Sequence, residues 1–407
     1  MENLKTVDIA VIGAGVAGSS AMIELCRSGF GKRAILFERE SQVAITSRHC
    51  NHQGFGLFEF KRAYSGLEYA DRLEQELRRV NADLKLNHAL TKVEDNVLTF
   101  STPDGELRYK AKKILFAMGA RESTRASMEL SGGRSPNIIN TGALQRFTYI
   151  QGFRPFKKAV IIGSEIVAFS ALMTAKEAGI EIAAMVEEQH NIKSFPILKP
   201  IVEIFKKTPI YTDAKNIYIN TLNKEVKSVE FEHRGVKETI ECDGVIISGG
   251  FIPESAILQQ SFTHFNLQNR SLDISQNFQN QNSHIFLGGN IIRGALSAYK
   301  CYFEGKEAAQ NIAKSLSGIK EPKFIKIEAD EKIEWLYPSL IDIDASKKAL
   351  CNIRFAKKAK GTLSVYLNES EVLKKNIDAK PYEVIKIEWI NRQVKESDRV
   401  KLVLDER

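Results

Sequence analysis

The sequence predicts an α/β protein that ends in a small all-β module, and three observations lead to this fold class. Near the N-terminus an apolar strand runs directly into a glycine-rich turn and a helix, and a segment near residue 160 repeats this pattern. Beyond Pro322 the pattern changes to short alternating strands. Strands that alternate with helices build parallel sheets covered on both faces, so we expect two Rossmann-like three-layer domains followed by a β-sandwich or barrel.

The first glycine-rich turn has the spacing of a dinucleotide-binding motif. The strand 7–12 leads into Gly13, Gly15 and Gly18 in the order G-x-G-x-x-G, and a second strand ends in Glu38. In such a motif the first glycine makes the turn, the second lets the backbone approach a pyrophosphate, and the third lets the helix pack on the strand. The acid accepts from a ribose hydroxyl, and the helix N-terminus binds the phosphates. The segment therefore predicts an adenine-dinucleotide site.

The second glycine-rich turn departs from this spacing. Residues 163–168 read GSEIVA, so Glu165 stands where the middle glycine is expected. A side chain there obstructs the approach of a phosphate, and its charge repels it. NAD(P)H binding at this unit is therefore doubtful, and we expect residues 155–245 to serve as scaffold.

Composition and charge exclude several function classes. The chain of 407 residues carries a net charge of +8, but its basic residues are interspersed with acidic ones, which argues against nucleic-acid binding. Its five cysteines form no C-x-x-C pair and lack metal-ligand spacing, so we expect no zinc or iron–sulfur site. We also expect a cytoplasmic protein, because we find no signal peptide and no apolar run long enough to span a membrane.

A polar loop between the second strand and the next helix carries the candidate catalytic residues. Residues 46–56 read TSRHCNHQGFG, which is too long for a tight turn and too polar for a core. We expect His49 or His52 to act as a general base, with a hydrogen-bonded structural histidine as the alternative. The flanking histidines favour a lowered pKa for Cys50, although free cysteines are commonly small buried hydrophobes. Arg48 is expected to clamp a substrate carboxylate or to neutralise a cofactor pyrophosphate.

Further motifs resemble those of the flavoproteins with two dinucleotide-binding domains. These flavoproteins are similar to the pyridine nucleotide-disulfide oxidoreductases. Residues 117–122 (AMGARE) resemble the family's ATGARE strand end, residues 140–145 (NTGALQ) resemble its TAGAAQ segment, and residues 288–290 (GGN) precede a closing helix. Together with residues 48–56, these motifs are similar to one branch of the family. That branch contains the flavoprotein subunits of hydrogen cyanide synthase, opine oxidase, sarcosine oxidase and dye-linked proline dehydrogenase. The resemblance covers about residues 5–318.

The resemblance implies a bound FAD and four segments. Residues 1–121 and 249–320 would form the FAD-binding domain, residues 122–248 an inserted NAD(P)-type domain, and residues 321–407 the β module. Asn290 stands where the family usually has an aspartate that bonds the ribityl chain, and a helix beginning near Ala295 would direct its positive end at the flavin pyrimidine ring. The residues implied to contact FAD are Gly13, Ala14, Gly15, Ala17, Gly18, Glu38, Arg39, Gly119, Gly289, Asn290 and Ala295.

The implied activity is an FAD-dependent dehydrogenase. Hydride would pass to flavin N5 from a small amino acid, opine, amine or hydroxy acid, and then onward to a partner subunit, a quinone or oxygen. Two alternatives stay open: an NAD(P)H-dependent flavin reductase with Cys50 as a single redox centre, and a non-catalytic FAD-stabilised subunit. Dithiol chemistry is not expected, because no C-x-x-x-x-C pair is present. A homo- or hetero-oligomer is compatible with each of these functions.

Overall fold

The computed structural model describes residues 4–194, 198–205, 208–318, 322–344, 349–355, 357–380, 383–389 and 394–406. The boundary expected between residues 320 and 321 lies outside these ranges. Within them the predicted fold class is confirmed, because two α/β sheets with parallel central strands are followed by sheets of mostly antiparallel strands near the C-terminus.

In the N-terminal part of the fold, helices pack on a sheet whose central strands are parallel. Its elements are β1 (Leu4–Ile12), α1 (Val16–Arg27), β2 (Ala34–Phe37), α2 (Ile45–Arg48), β3 (Gln53–Phe55), β4 (Tyr64–Ser65), α3 (Gly66–Arg79), β5 (Leu84–Lys85), β6 (Ala89–Glu94), β7 (Val97–Thr102) and β8 (Gly105–Phe116). Strands β5, β2, β1 and β8 lie side by side in parallel, and β7 and β6 continue from β8 as an antiparallel meander. The last four residues of β1 are buried, as expected of a central parallel strand with both faces covered.

The second α/β part repeats this plan. Its elements are β9 (Ala120–Arg121), β10 (Ser131–Gly132), β11 (Ile138–Asn140), α4 (Thr141–Gln145), β12 (Lys158–Ile162), α5 (Ile166–Glu177), β13 (Glu181–Val186), α6 (Leu198–Phe205), β14 (Ile210–Tyr211), β15 (Lys215–Leu222), β16 (Glu225–His233), β17 (Val236–Glu241) and β18 (Gly244–Ile247). Helix α4 continues into a π-helical stretch, Arg146–Ile150. The parallel sheet has the order β11-β18-β12-β13-β14, and a second sheet has the order β10-β15-β16-β17.

The chain then returns to the N-terminal sheet. The returning elements are β19 (Ile252–Pro253), α7 (Ala256–Ser261), β20 (Phe265–Asn266), β21 (Ser271–Leu272), β22 (Ile285–Leu287) and α8 (Ala298–Leu316). Strand β22 pairs in parallel with the second half of β8, and α8 packs on α1. Strand β19 pairs antiparallel with β9, so the two crossings between the α/β parts lie side by side.

The C-terminal module, residues 322–406, is a two-sheet sandwich. Its strands are β23 (Phe324–Ala329), β24 (Ile333–Tyr337), β25 (Leu340–Asp342), β26 (Ala349–Phe355), β27 (Ala359–Leu367), β28 (Ser370–Ala379), β29 (Ile385–Trp389) and β30 (Val400–Glu406). One sheet has the order β25-β23-β30-β27-β28 and the other β24-β26-β29. Apolar side chains from both sheets share one core that includes Ile327, Ile353 and Leu363.

The described ranges contain neither a helix suited to cross a membrane nor a cluster of metal-binding side chains. None of the helices there combines the length and the apolar character needed to cross a membrane. No group of three or more His, Cys, Asp or Glu side chains in these ranges is arranged to hold a metal ion.

Candidate functional site

The glycine-rich turn between β1 and α1 leaves open space beside its backbone. Gly13 has a φ of +100°, and its N–H donates to the Phe37 carbonyl at 2.7 Å. A Cβ on Gly18 would lie 1.9 Å from the Gly13 oxygen, so α1 packs on the turn only because this residue is glycine. A Cβ on Gly15, by contrast, would meet no atom of the described residues within 4 Å. The turn therefore fits a bound pyrophosphate, which needs a close approach to the backbone at this position.

Glu38 lies beside this turn at the end of β2. Its Oε2 accepts from the Ala14 N–H at 2.6 Å, and its Oε1 accepts from the Glu40 N–H at 2.9 Å. Burial raises the pKa of Glu38, and the two backbone bonds oppose this shift. The neighbouring Arg39 is largely exposed, with its Nε 3.6 Å from Glu40 Oε1. The position of Glu38 fits the expected contact with an adenosine ribose.

The other small residues expected at the cofactor differ in what they contact. Gly119 has a φ of +77°, and a Cβ there would meet no atom of the described part of the chain within 4 Å, so it borders open space. Ala17 and Gly289 instead pack on each other, since a Cβ on Gly289 would lie 2.7 Å from the Ala17 Cβ. Their small size lets α1 approach the segment that follows β22.

The loop that follows Asn290 holds its side chain in place. Asn290 Oδ1 accepts from the Leu296 N–H at 2.8 Å and from the Cys301 thiol at 3.1 Å. The helix predicted to begin near Ala295 begins at Ala298, so that prediction was wrong. Because the Leu296 N–H is bonded back to Asn290, the chain stays in a loop at Ala295 and enters the helix later.

Arg48 is engaged in the protein interior. Its Nη1 donates to Asp71 Oδ1 at 2.6 Å, its Nη2 donates to Glu74 Oε2 at 2.8 Å, and its Nε donates to the Val43 carbonyl at 3.1 Å. Only 8% of its side chain is exposed. These bonds engage all three guanidinium nitrogens, so the geometry favours a structural role over the expected contact with a substrate or a pyrophosphate. Arg48 ties α2 to α3.

The Cys50 thiol is not activated. Burial, and then the negative charge of Glu122, raises the pKa of Cys50 to about 11. Its Sγ donates to the Thr46 carbonyl at 3.6 Å. The expectation that His49 and His52 lower this pKa was wrong, because burial and a nearby carboxyl dominate. A thiol in this environment is a poor nucleophile at neutral pH.

The two histidines of the loop differ in their surroundings. His49 Nε2 is buried and has no hydrogen-bond partner in the described part of the chain. Burial, and then the charge of Arg146, lowers the pKa of His49, which keeps the ring neutral. His52 Nδ1 lies 3.2 Å from the Gln53 carbonyl oxygen, and its ring stacks on Phe55 with the centroids 5.0 Å apart. His49 therefore offers a neutral ring with an unbonded nitrogen, whereas His52 already has partners.

Glu122 was missed as a site residue, although the motif at residues 117–122 contains it. Its Oε2 accepts from the Gly142 N–H at 2.9 Å, and its Oε1 is buried without a partner among the described residues. Burial raises the pKa of Glu122 to about 7, the charge of Glu165 adds to this, and bonds from Thr141 and Gly142 oppose it. A carboxyl that titrates near neutral pH can hold or accept a proton. Glu122 could have been found from the sequence, because it is an acid that closely follows Gly119 in the motif at residues 117–122.

Acidic side chains occupy the second glycine-rich turn. Glu165 Oε1 accepts from the Gly250 N–H at 2.9 Å, and a Cβ on Gly249 would lie 2.7 Å from the Glu165 carboxyl carbon. Glu187, buried at the end of β13, accepts from the Ser164 hydroxyl at 2.5 Å. Glu165 is thus the acid that sets this turn apart from the first one, because Glu187 matches Glu38 in its position at a strand end and in its bond to the residue after the first glycine.

Solved structures show the same fold. The thioredoxin reductase of Lactococcus lactis matches with a TM-score of 0.62 at 16% identity, over 77% of this chain and 100% of that chain. The L-proline dehydrogenase of P. horikoshii matches with a TM-score of 0.58 at 18% identity, over 78% of this chain and 57% of that chain. At such identities the likeness establishes the fold alone.

Curated relatives match over different shares of their length. Mitochondrial dihydrolipoyl dehydrogenase of Caenorhabditis elegans is 26% identical over 55% of this chain and 45% of its own length. The NAD-dependent dihydropyrimidine dehydrogenase subunit PreT of Escherichia coli is 24% identical over 76% of this chain and 68% of its own length. Sarcosine oxidase subunit alpha of Rhizobium meliloti is 24% identical over 60% of this chain and 24% of its own length. The chain spans about half the length of the first of these relatives.

A family model covers most of the chain. The model described as pyridine nucleotide-disulphide oxidoreductase matches residues 7–311, which include both glycine-rich turns, Glu122 and Asn290. The matched range ends within α8, so the C-terminal module lies beyond it. The chain therefore belongs to the pyridine nucleotide-disulphide oxidoreductase family, which confirms the expected class of FAD-dependent oxidoreductase.

Proposed function

We propose that the protein is an FAD-dependent dehydrogenase that takes electrons from a small amino acid, opine, amine or hydroxy acid. The observation that carries this proposal is the bond between Glu165 and the Gly250 N–H at 2.9 Å. It places a carboxylate at the turn where the phosphates of NAD(P)H would have to bind. A flavoprotein that binds NAD(P)H poorly needs another electron donor, and an organic substrate supplies it.

The residues present fit FAD at the first glycine-rich turn. The open space at Gly15 and Gly119 admits the cofactor, Glu38 would hold the adenosine ribose, and Asn290 would lie at the ribityl chain. When bound, FAD supplies two-electron chemistry by accepting a hydride equivalent. The protein's own part is to bind the substrate beside the cofactor and to accept the proton that the substrate loses.

Two side chains are suited to accept that proton. Glu122 has a pKa of about 7, so a large fraction is ionised at neutral pH. Burial lowers the pKa of His49 and favours the neutral ring, and its Nε2 has no hydrogen-bond partner among the described residues. Because the best general base has a pKa near the working pH, we propose Glu122 as the principal acceptor and His49 as the second candidate. The raised pKa of Cys50 disfavours the alternative of a single redox cysteine.

The name of one curated relative supports an amine substrate. Sarcosine oxidase subunit alpha of Rhizobium meliloti is named for sarcosine, a secondary amine. We therefore propose that the chain belongs to the same branch of the family as sarcosine oxidase. We also propose that the chain is divided into the segments 1–121, 122–248, 249–320 and 321–407.

The electron acceptor is proposed to be a partner subunit, with a quinone or oxygen as alternatives. PreT and the sarcosine oxidase chain are named as subunits, which supports this proposal. A cytoplasmic location and an oligomeric assembly are part of the same proposal.

An anaerobic titration tests the proposal. The flavin-loaded protein is mixed with a panel of amino acids, opines, amines and hydroxy acids, and the flavin absorbance is followed. Loss of absorbance with one class identifies the substrate class. If every member leaves the flavin oxidised, the proposed dehydrogenase activity is wrong.

A further inference from the structure

The C-terminal module docks on the α/β region through amide side chains. Residues 259–282 are rich in Asn and Gln. Asn269 donates to the Leu336 carbonyl at 2.9 Å and accepts from the Leu336 N–H at 3.0 Å. Gln276 does the same with Asp342, at 3.0 and 3.1 Å. Each amide thus bonds both backbone groups of one module residue, as a neighbouring strand would, so this surface fixes the module in one position.

Arg293 contributes to the same contact from the α/β side. Its side chain is 7% exposed and forms an ion pair with Glu304 of α8. Its guanidinium carbon lies 4.7 Å from the ring centroid of Tyr337 and 5.8 Å from that of Trp335, both on β24 of the module. A desolvated guanidinium beside aromatic rings makes a strong cation–π contact. The module therefore covers a charged pair that belongs to the α/β region.

The same arginine belongs to the loop expected to face the flavin. Loop 290–298 begins with Asn290, and the Gly294 N–H donates to the Asn290 carbonyl at 2.9 Å. The Asn290 side chain also accepts from the Leu296 N–H, so Arg293 lies inside a closed turn. Its ion pair with Glu304 then fastens this turn to α8.

We propose that Tyr337 and Trp335 of the C-terminal module are positioning residues for the FAD site. They hold Arg293, and through it they hold loop 290–298 in the shape that the cofactor needs. The module is then a structural part of the flavin site, and its docking is required for cofactor retention. The inference needs only that the chain binds FAD, and it is independent of which substrate is oxidised.

Titration of the apoprotein with FAD tests this inference, with the dissociation constant read from the change in flavin fluorescence. Tyr337→Leu removes the aromatic face and keeps an apolar side chain. Arg354→Met is the matched control, because the Arg354 guanidinium lies 5.9 Å from the Trp335 ring and pairs with Glu334 inside the module. We expect the Kd for FAD to rise by about fivefold or more in Tyr337→Leu and by less in Arg354→Met.

Two results overturn the inference. One is a rise of less than about fivefold in Tyr337→Leu, and the other is an equal rise in Arg354→Met. If Tyr337→Leu does not fold, Arg293→Lys is judged by the same criterion, because it keeps the charge opposite Glu304 and removes the planar group that lies beside the rings.

Discussion

Glu165 is predicted to be the reason why NAD(P)H is a poor electron donor for this protein. The change that tests this is a pair of substitutions: Glu165→Gln removes the charge and keeps the bulk, and Glu165→Gly removes both. Glu165→Gly restores the glycine spacing of the second turn and frees the space beside Gly249. The exposed Glu188 provides a matched control, because Glu188→Gln removes an acid from the same α/β part without touching the turn.

The size of the effect follows from the charge and its surroundings. Two unit charges about 4 Å apart interact by about 1 kcal/mol in water and about 4 kcal/mol at an effective dielectric constant of about 20. Glu165 is partly exposed, so we take about 1–2 kcal/mol as the repulsion of one phosphate charge. This corresponds to an affinity for NADH about tenfold tighter in Glu165→Gln, and we expect a larger gain in Glu165→Gly, where the steric obstruction is also gone.

Anaerobic stopped-flow mixing with NADH measures this gain as the dependence of flavin reduction on NADH concentration. We expect the apparent affinity for NADH to be weakest in the parent protein and in Glu188→Gln, tighter in Glu165→Gln and tightest in Glu165→Gly. Glu165 does not limit NADH binding if Glu165→Gly binds NADH no better than the parent protein does, or if Glu188→Gln gains as much affinity.

Three further predictions concern the loop residues and Glu122. The rate of flavin reduction by substrate is expected to rise with pH through about 7, because Glu122 must be deprotonated to accept a proton; a Glu122→Gln variant that keeps this rise in its pH profile contradicts the assignment. Arg48→Met leaves Asp71 and Glu74 without their buried partner, so we expect a loss of about 1–3 kcal/mol in the free energy of unfolding, measured with denaturant, and an unchanged KM. A raised KM with unchanged stability would restore a substrate-binding role. Cys50→Ser is expected to keep substrate-driven flavin reduction within about twofold, measured by the same mixing experiment, and loss of that reduction would identify a redox cysteine.

The fold was predictable because its signals are local. The strand, the turn and the helix of residues 7–27 follow one another directly, and the roles of Gly13 and Gly18 follow from their spacing. The position of Glu165 was predictable for the same reason. The spacing of the motif places it in the second glycine-rich turn, and its side chain lies there. Local periodicity and glycine spacing therefore made the architecture and the positions of both glycine-rich turns predictable.

Several site properties depended on distant contacts. Arg48 is bonded to carboxylates 23 and 26 residues away, and such pairing leaves no pattern in a single sequence. The start of α8 was placed too early because a bond from Leu296 to the Asn290 side chain, six residues back, delays the helix. The pKa of Cys50 reflects burial and Glu122, which outweigh the adjacent histidines.

We expect electrons to reach the flavin of this protein from an organic substrate and not from NAD(P)H. The most direct test is to mix one anaerobic sample of the flavin-loaded protein in parallel with NADH, with NADPH and with the substrates of the panel, and to compare the rates of flavin reduction. We predict rapid reduction by an amino acid, opine, amine or hydroxy acid and slow reduction by both nicotinamide nucleotides. Rapid reduction by NADH or NADPH, with none by the panel, would identify a nicotinamide nucleotide as the electron donor and exclude the proposed dehydrogenase.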